Sequence, residues 1–140
     1  MQRVLFCTSE SYFDNIFAMT KPNTSLDIEE VFSARGLISK AFAQFEERPE
    51  QAQMAGAVHK TLLDGRHLVV EAGTGVGKSF AYLIPAIKLA RQYARKVLIS
   101  TFTITLQEQL INKDIPFLKN CIPGRFTPLE NSQSDRKSVV

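Results

Sequence analysis

Glu71-Ala72-Gly73-Thr74-Gly75-Val76-Gly77-Lys78-Ser79 sets three glycines at alternate positions just before a lysine and a hydroxyl. This is the pattern of a loop that binds phosphate. Gly73, Gly75 and Gly77 can take backbone angles that a Cβ forbids, so successive N–H groups turn inward around an anion. A helix starting where the loop ends aims its positive dipole end and unpaired N–H groups at the same point. Lys78 supplies a cation for the β- and γ-phosphates of a nucleotide, and the Ser79 hydroxyl is suited to ligate Mg²⁺. Lys78 and Ser79 are therefore the candidate catalytic residues, with Ser79 the candidate metal ligand. Ala72, Gly73, Thr74, Gly75, Val76 and Gly77 complete the candidate loop for a nucleoside triphosphate. Ala72 stands where the pattern opens with Gly, a position that asks only for a small residue. The alternative is a glycine-rich turn that binds nothing.

Two further groups flank this loop. Arg48-Pro49-Glu50-Gln51 lies some twenty residues upstream, at a predicted helix start. The Gln51 amide offers both an acceptor and a donor, the pair needed to select an adenine edge; a solvated capping residue is the other reading. Downstream, Ser100-Thr101-Phe102-Thr103-Ile104-Thr105-Leu106-Gln107-Glu108-Gln109 leaves the carboxyl end of a predicted strand, the edge where ligands bind in open α/β sheets. Its hydroxyls and amides suit the phosphate oxygens of a nucleic-acid backbone, or else ordinary turn and cap chemistry, with Thr103 or Thr105 capping the next helix. His59 and His67 have no carboxylate or Cys partner at metal spacing and read as surface or sheet-edge residues.

The elements that must position these groups follow from hydrophobic period and breakers. Ser25 or Asp27 can cap a helix carrying Ile28, Val31 and Phe32, and Leu37, Ile38, Phe42 and Phe45 continue the interval after a break at Gly36. Pro49 suits the first turn of a helix whose face is Met54, Val58 and Leu62 and whose end is Gly65. Arg66 to Glu71 reads as a buried parallel strand and Ser79 to Arg91 as a helix, kinked or stopped early by Pro85. Arg91, Arg95 and Lys96 lead to a second buried strand, Val97 to Ser100. Thr101 to Thr105 then loops into a third helix with Leu106, Leu110 and Ile111. The strand–helix–strand–helix order predicts parallel strands joined right-handedly. The fold class is α/β.

Composition sets the outer bounds. The chain has 140 residues, 44% of them hydrophobic, and a formal net charge of +3, which fits one globular domain. Scattered basic residues permit contact with nucleic acid without arguing for it. Cys7 and Cys121 lie far apart, which excludes a self-contained zinc site and points to a reducing, cytoplasmic setting. The first residues lack a signal peptide's apolar stretch, and no apolar run nears the roughly 20 residues of a membrane span. No membrane association and no protein partner are indicated.

Taken together, three segments carry a family likeness: R-P-E-Q-x-x-M, then G-R-H-L-V-V-E-A-G-T-G-V-G-K-S-F-A-Y-L-I-P, then V-L-I-S-T-F-T-I-T-L-Q-E-Q-L-I-N-K-D-I-P-F-L. In this order and at these separations they resemble the start of DinG-type DNA helicases, superfamily 2 relatives of the XPD-like repair helicases. The likeness runs from about residue 31 to about 128. It implies a partial RecA-like P-loop NTPase lobe, a parallel sheet with flanking helices, over residues 26–128. It further implies that Gln51 reads adenine with Arg48 nearby, that Gly73 to Ser79 binds ATP and Mg²⁺, and that Thr101, Thr103, Thr105, Gln107 and Gln109 touch single-stranded DNA. In such enzymes ATP hydrolysis closes two RecA-like lobes and moves them along the strand, 5′ to 3′.

The chain also departs from that pattern. It has no D-E-x-H carboxylate pair, and Asp114, followed by Ile115 and Pro116, is not one. The second lobe with its arginine finger is absent, and Cys121 alone cannot hold an iron–sulfur cluster, so a cluster is not supported in this chain. Residues 1–25 show no sustained period and receive no assignment. The tail, 129–140, turns polar. Its codons for Asp135 to Val140 admit the back-translation GATCGGAAGAGCGTCGTG, which resembles a common sequencing-library adapter with a stop codon next in frame. The tail is therefore expected to be foreign or disordered, and the chain to be an N-terminal, truncated portion of a helicase that binds nucleotide at most. With only two strong strands it is expected to be marginally stable alone. A P-loop kinase or phosphotransferase is the rival class, although an Arg-rich lid is missing where Thr and Gln stand. A non-catalytic fragment is the other.

Overall fold

The computed structural model describes residues 26–42, 45–93, 96–124 and 126, with the backbone of 137–139. The expectations placed on the lead-in 1–25, on Ser25 and Arg95, and on 129–136 lie outside the described residues.

Two 16-residue helices form the centre. The first two elements, α1 (Ile28–Phe32) and α2 (Leu37–Ala41), are single turns that lead to α3 (Pro49–Asp64). Asp27 caps α1, its Oδ1 accepting from the Glu29 N–H at 2.9 Å, and Ile28, Val31 and Phe32 are buried. Gly36 breaks the run for a packing reason: a Cβ there would lie 2.1 Å from the Glu30 carbonyl oxygen. Pro49 occupies the first turn of α3 and Gly65 ends it in the left-handed region at φ 63°, where a Cβ is disfavoured. The Met54, Val58 and Leu62 face is buried as its period requires. It packs against α4 (Lys78–Tyr93), in which every residue from Ala81 to Ile87 is buried.

The strand β1 (Leu98–Ser100) follows, then α5 (Ile104–Gln109), a π-helical turn (Leu110–Asp114) and α6 (Ile115–Cys121). The π turn has a local cause. Pro116 has no N–H and its ring crowds the carbonyl four residues back, and the helix widens just before it. There the Ile115 N–H bonds the Leu110 carbonyl, five residues back. Leu110, Ile115 and Leu118 close the core from this side. Phe117 stacks on Phe80 at 5.5 Å between centroids and meets Phe42 edge-on at 6.1 Å, which ties α6 to the start of α4.

The sheet departs from expectation. Residues 66–73 join no strand ladder, and Val69 is 79% exposed where burial was expected. Parallel pairing with β1 does not form. Instead β1 pairs antiparallel with β2 (Lys137–Val139), Leu98 opposite Val139. The physical reason is that a strand's N–H and C=O groups need neighbours on both sides, and a parallel sheet needs several strands to supply them. Helices satisfy their own. Of β1's residues, Ile99 is buried while Leu98 is 44% exposed. Of the kink or early stop expected at Pro85, the stop does not occur, since α4 runs through it to Tyr93. Burial on both flanks of Pro85 holds that helix together although the proline removes one hydrogen bond. Among the described residues no helix is long and apolar enough to cross a membrane.

Candidate functional site

The loop of residues 72–77 is held between α3 and α4. Gly75 and Gly77 have φ of 84° and 79°, so the loop uses the left-handed conformations its glycines allow. Gly73 is not among the positive-φ glycines, and the expected angle does not occur there. At Gly77 a side chain would be doubly disfavoured, because a Cβ would also sit 2.1 Å from the Gln51 amide nitrogen. Lys78 opens α4, and its ammonium turns back to donate to the loop carbonyls of Ala72, at 2.9 Å, and Gly73. Thr74 is exposed and Val76 half-buried.

Arg48 and Gln51 reach this loop across 27 and 26 residues of chain. The Arg48 guanidinium donates to the Gly75 carbonyl and, at 3.3 Å, to Glu46. The Gln51 amide donates to the Gly77 carbonyl at 2.9 Å, and the residue is only 6% exposed. Gln51 is thus not a solvated cap. Proline at the first turn of α3 fixes where these two side chains leave the backbone, and both converge on the carbonyls of the two left-handed glycines. Because those carbonyls accept from Arg48 and Gln51, the loop's backbone is clamped from outside.

Ser79 stands close enough to the Tyr82 phenol, one turn along α4, and to the Asp114 carboxylate, at the end of the π turn, to influence how both titrate. Burial pushes the Tyr82 phenol up to about 12, against a hydrogen bond with Ser79 that lowers it. Burial likewise raises Asp114, while hydrogen bonds from Gln109 and Ser79 and the nearby Lys113 charge oppose the shift. The Gln109 amide donates to Asp114 at 3.1 Å. Sequence reasoning set Asp114 aside and did not single out Tyr82. Tyr82 lies three residues after Ser79 on one helix, a spacing that could have flagged it. Asp114 had no such signal, because its meeting with Gln109 depends on the π turn.

The segment after β1 divides. Thr103 caps α5, accepting from the Leu106 N–H at 3.3 Å, and Thr101 donates to the Thr103 carbonyl at 3.2 Å. So ordinary cap chemistry does occupy Thr103. Thr105 is exposed and Gln107 half-buried, while Gln109 is turned to Asp114. Phe102, 99% exposed, and Ile104, 70% exposed, stand beside them, an apolar edge that the reading of hydroxyls and amides had passed over.

Can these residues hold a metal ion? Among the described residues no group of three or more His, Cys, Asp or Glu is placed to do so. A cation here would be held by the Ser79 hydroxyl together with phosphate oxygens, which is the hard, oxygen-only donor set that Mg²⁺ prefers. That fits.

A loop with two left-handed glycines opens a buried helix and is held by an upstream Arg and Gln, and comparison gives the class of protein that carries it. Residues 48–137 match the model of the DEAD/DEAH box helicase family, and the chain belongs to that family. Membership carries a RecA-like fold. The chain is 44% identical over 93 residues to the ATP-dependent DNA helicase DinG of Escherichia coli (strain K12), which is 64% of this chain and 13% of that protein. It is 46% identical over 86 residues to DinG of Salmonella typhimurium (strain LT2), or 59% of this chain and 12% of the relative. With the ATP-dependent DNA helicase YoaA of Haemophilus influenzae it shares 43% over 95 residues, 68% of this chain and 14% of the relative. The likeness to DinG-type helicases read from the three motifs is therefore upheld. The chain spans about an eighth of the length of the curated relatives it matches. No solved structure matches it significantly.

Proposed function

We propose that the chain is the nucleotide-binding portion of an ATP-dependent DNA helicase, and that residues 72–79 hold ATP. The observation that carries this is the clamp: Arg48 and Gln51 fix the carbonyls of Gly75 and Gly77. A peptide whose carbonyl is held outward keeps the next N–H directed the other way, toward the loop's interior. Such a cradle needs little reorganisation when an anion enters.

In this reading Ala72, Gly73, Thr74, Gly75, Val76 and Gly77 offer backbone to the phosphates. Lys78 exchanges its bonds to the Ala72 and Gly73 carbonyls for phosphate oxygens, so the free loop carries its own stand-in for the ligand's charge. Ser79 ligates Mg²⁺, which would supply charge neutralisation of the phosphates when bound. Gln51, with Arg48 beside it, selects adenine. Thr101, Thr103, Thr105, Gln107 and Gln109 contact single-stranded DNA, and the parallel RecA-like sheet is completed by strands beside residues 66–71 and β1. Domain boundaries at 26 and 128 belong to the same proposal.

Titration of a fluorescent ATP analogue into wild type and Lys78→Ala tests it. Each charge-assisted hydrogen bond lost is worth roughly 1.5–3 kcal/mol, so affinity should fall at least about tenfold. Equal affinity in the two proteins would remove the loop's assignment. Stimulation of ATP hydrolysis by single-stranded DNA, measured on a chain of the relatives' full length, tests the DNA half of the reading.

A further inference from the structure

Nearly every described phenylalanine has neighbours. Phe32 and Phe126 are buried, Phe45 packs against the core, and Phe117 meets the rings of Phe42 and Phe80. Phe102 is the exception, 99% exposed. An apolar ring held in water forgoes the gain of burial. The backbone around it sets its place. The chain bends at Phe102 between β1 and α5. Across this bend the Thr101 hydroxyl donates to the Thr103 carbonyl at 3.2 Å, and the Thr103 hydroxyl accepts from the Leu106 N–H at 3.3 Å. Both flanking threonines thus spend hydrogen-bonding capacity within the turn, with Phe102 at its apex.

The geometry points to Phe102 as a stacking platform for one base of single-stranded DNA. A threonine hydroxyl has a single hydrogen. While Thr101 gives its hydrogen to the Thr103 carbonyl, it cannot donate to a phosphate, so the ring is the group this turn offers outward. An exposed aromatic face accepts any base, because every base has a π face. Phe102 leaves the carboxyl end of β1 inside the segment assigned above to DNA, and a strand of nucleotides supplies one flat ring per unit. The inference rests on that assignment. It adds the kind of contact made there: base stacking on Phe102 in place of phosphate binding by Thr101.

Fluorescence anisotropy of a labelled single-stranded oligothymidine, titrated with the whole 140-residue chain, tests it. Losing one base–aromatic stack should weaken binding roughly 5- to 150-fold in Phe102→Ala. Phe102→Tyr keeps the ring and should bind as wild type does. Phe102→Leu keeps apolar bulk without the π face and should lose nearly as much as the alanine variant. On an abasic strand of the same length, wild type and Phe102→Ala should bind alike. Their salt dependence on oligothymidine should share one slope, since no phosphate contact is removed. Because the side chain is exposed, circular dichroism should show the variants folded as wild type. Wild-type affinity in Phe102→Ala or Phe102→Leu, or an equal loss on the abasic strand, overturns the inference. So does a wild-type dimer in sedimentation that Phe102→Ala returns to monomer, which would give the ring to a second copy. If the wild type binds no oligothymidine, the DNA half of the reading falls and this inference with it. If Gln107→Ala weakens binding while Phe102→Ala does not, this inference alone falls.

Discussion

The helical and extended parts of this molecule were equally apolar as text, yet only one behaves as its residues suggest. Met54, Val58 and Leu62 in α3, and Leu83, Ile84 and Ile87 in α4, are buried. Val69 and Leu98, set in equally apolar runs, are largely exposed or half-exposed. The difference lies in where the backbone finds its partners. A helix satisfies its own N–H and C=O groups and needs only one apolar neighbour. A strand leaves both edges open. Thus β1 takes the only partner strand it has among the described residues, β2, while 66–73 takes none.

The largest expected effect tests this contrast. Leu83 is fully buried, and Leu83→Ala should cost about 2–5 kcal/mol through lost burial and the cavity left behind. Val69→Ala should change stability by no more than about 0.5 kcal/mol. Urea midpoints of the two variants read it directly. A Val69→Ala loss approaching that of Leu83→Ala would mean that a sheet neighbour covers residue 69 in solution.

A second contrast lies within the loop. Gly77→Ala places a Cβ at φ 79° and against Gln51, and should cost about 1–2 kcal/mol. It should weaken ATP-analogue binding by displacing the Gln51 clamp. Gly73 lacks a positive φ, and its Cβ would meet nothing within 4 Å. Gly73→Ala should therefore leave stability near wild type. Equal losses for the two would show that the loop closes differently when it binds.

These contrasts also mark how far the sequence could be read. Local signals were legible because their causes are local: Asp27 as a cap, Pro49 as a start, Gly65 as a stop, the α3 face, and the left-handed turns at Gly75 and Gly77. The antiparallel partner of β1 was not legible, since strand pairing depends on residues distant in the chain. Nor was the meeting of Gln109 with Asp114. On a regular α-helix residues three and four apart share a face, whereas this pair is five apart and meets through the π turn before Pro116. A scan at helical spacing passes over it.

The smallest effect sharpens the helix–helix side of the comparison. His59 on α3 sits near Lys88 of α4 and Asp27 before α1. Burial, then the Lys88 charge, lowers its pKa below the usual 6.5, against a smaller raising effect of Asp27. The unfolded chain therefore takes up the proton first as pH falls, so the unfolded state binds more protons and gains relative to the folded one. The stability associated with neutral His59 is complete above the unfolded value and is lost progressively as pH drops through 6.5 toward the lower folded value. Urea midpoints between about pH 7.5 and 5.5, compared for wild type and His59→Gln, should diverge in that direction, wild type losing more stability toward acid. Parallel curves would mean that α3 and α4 part enough at this point to let His59 charge in the folded state, and the tight packing assigned to the helical half would then not extend to this end of it.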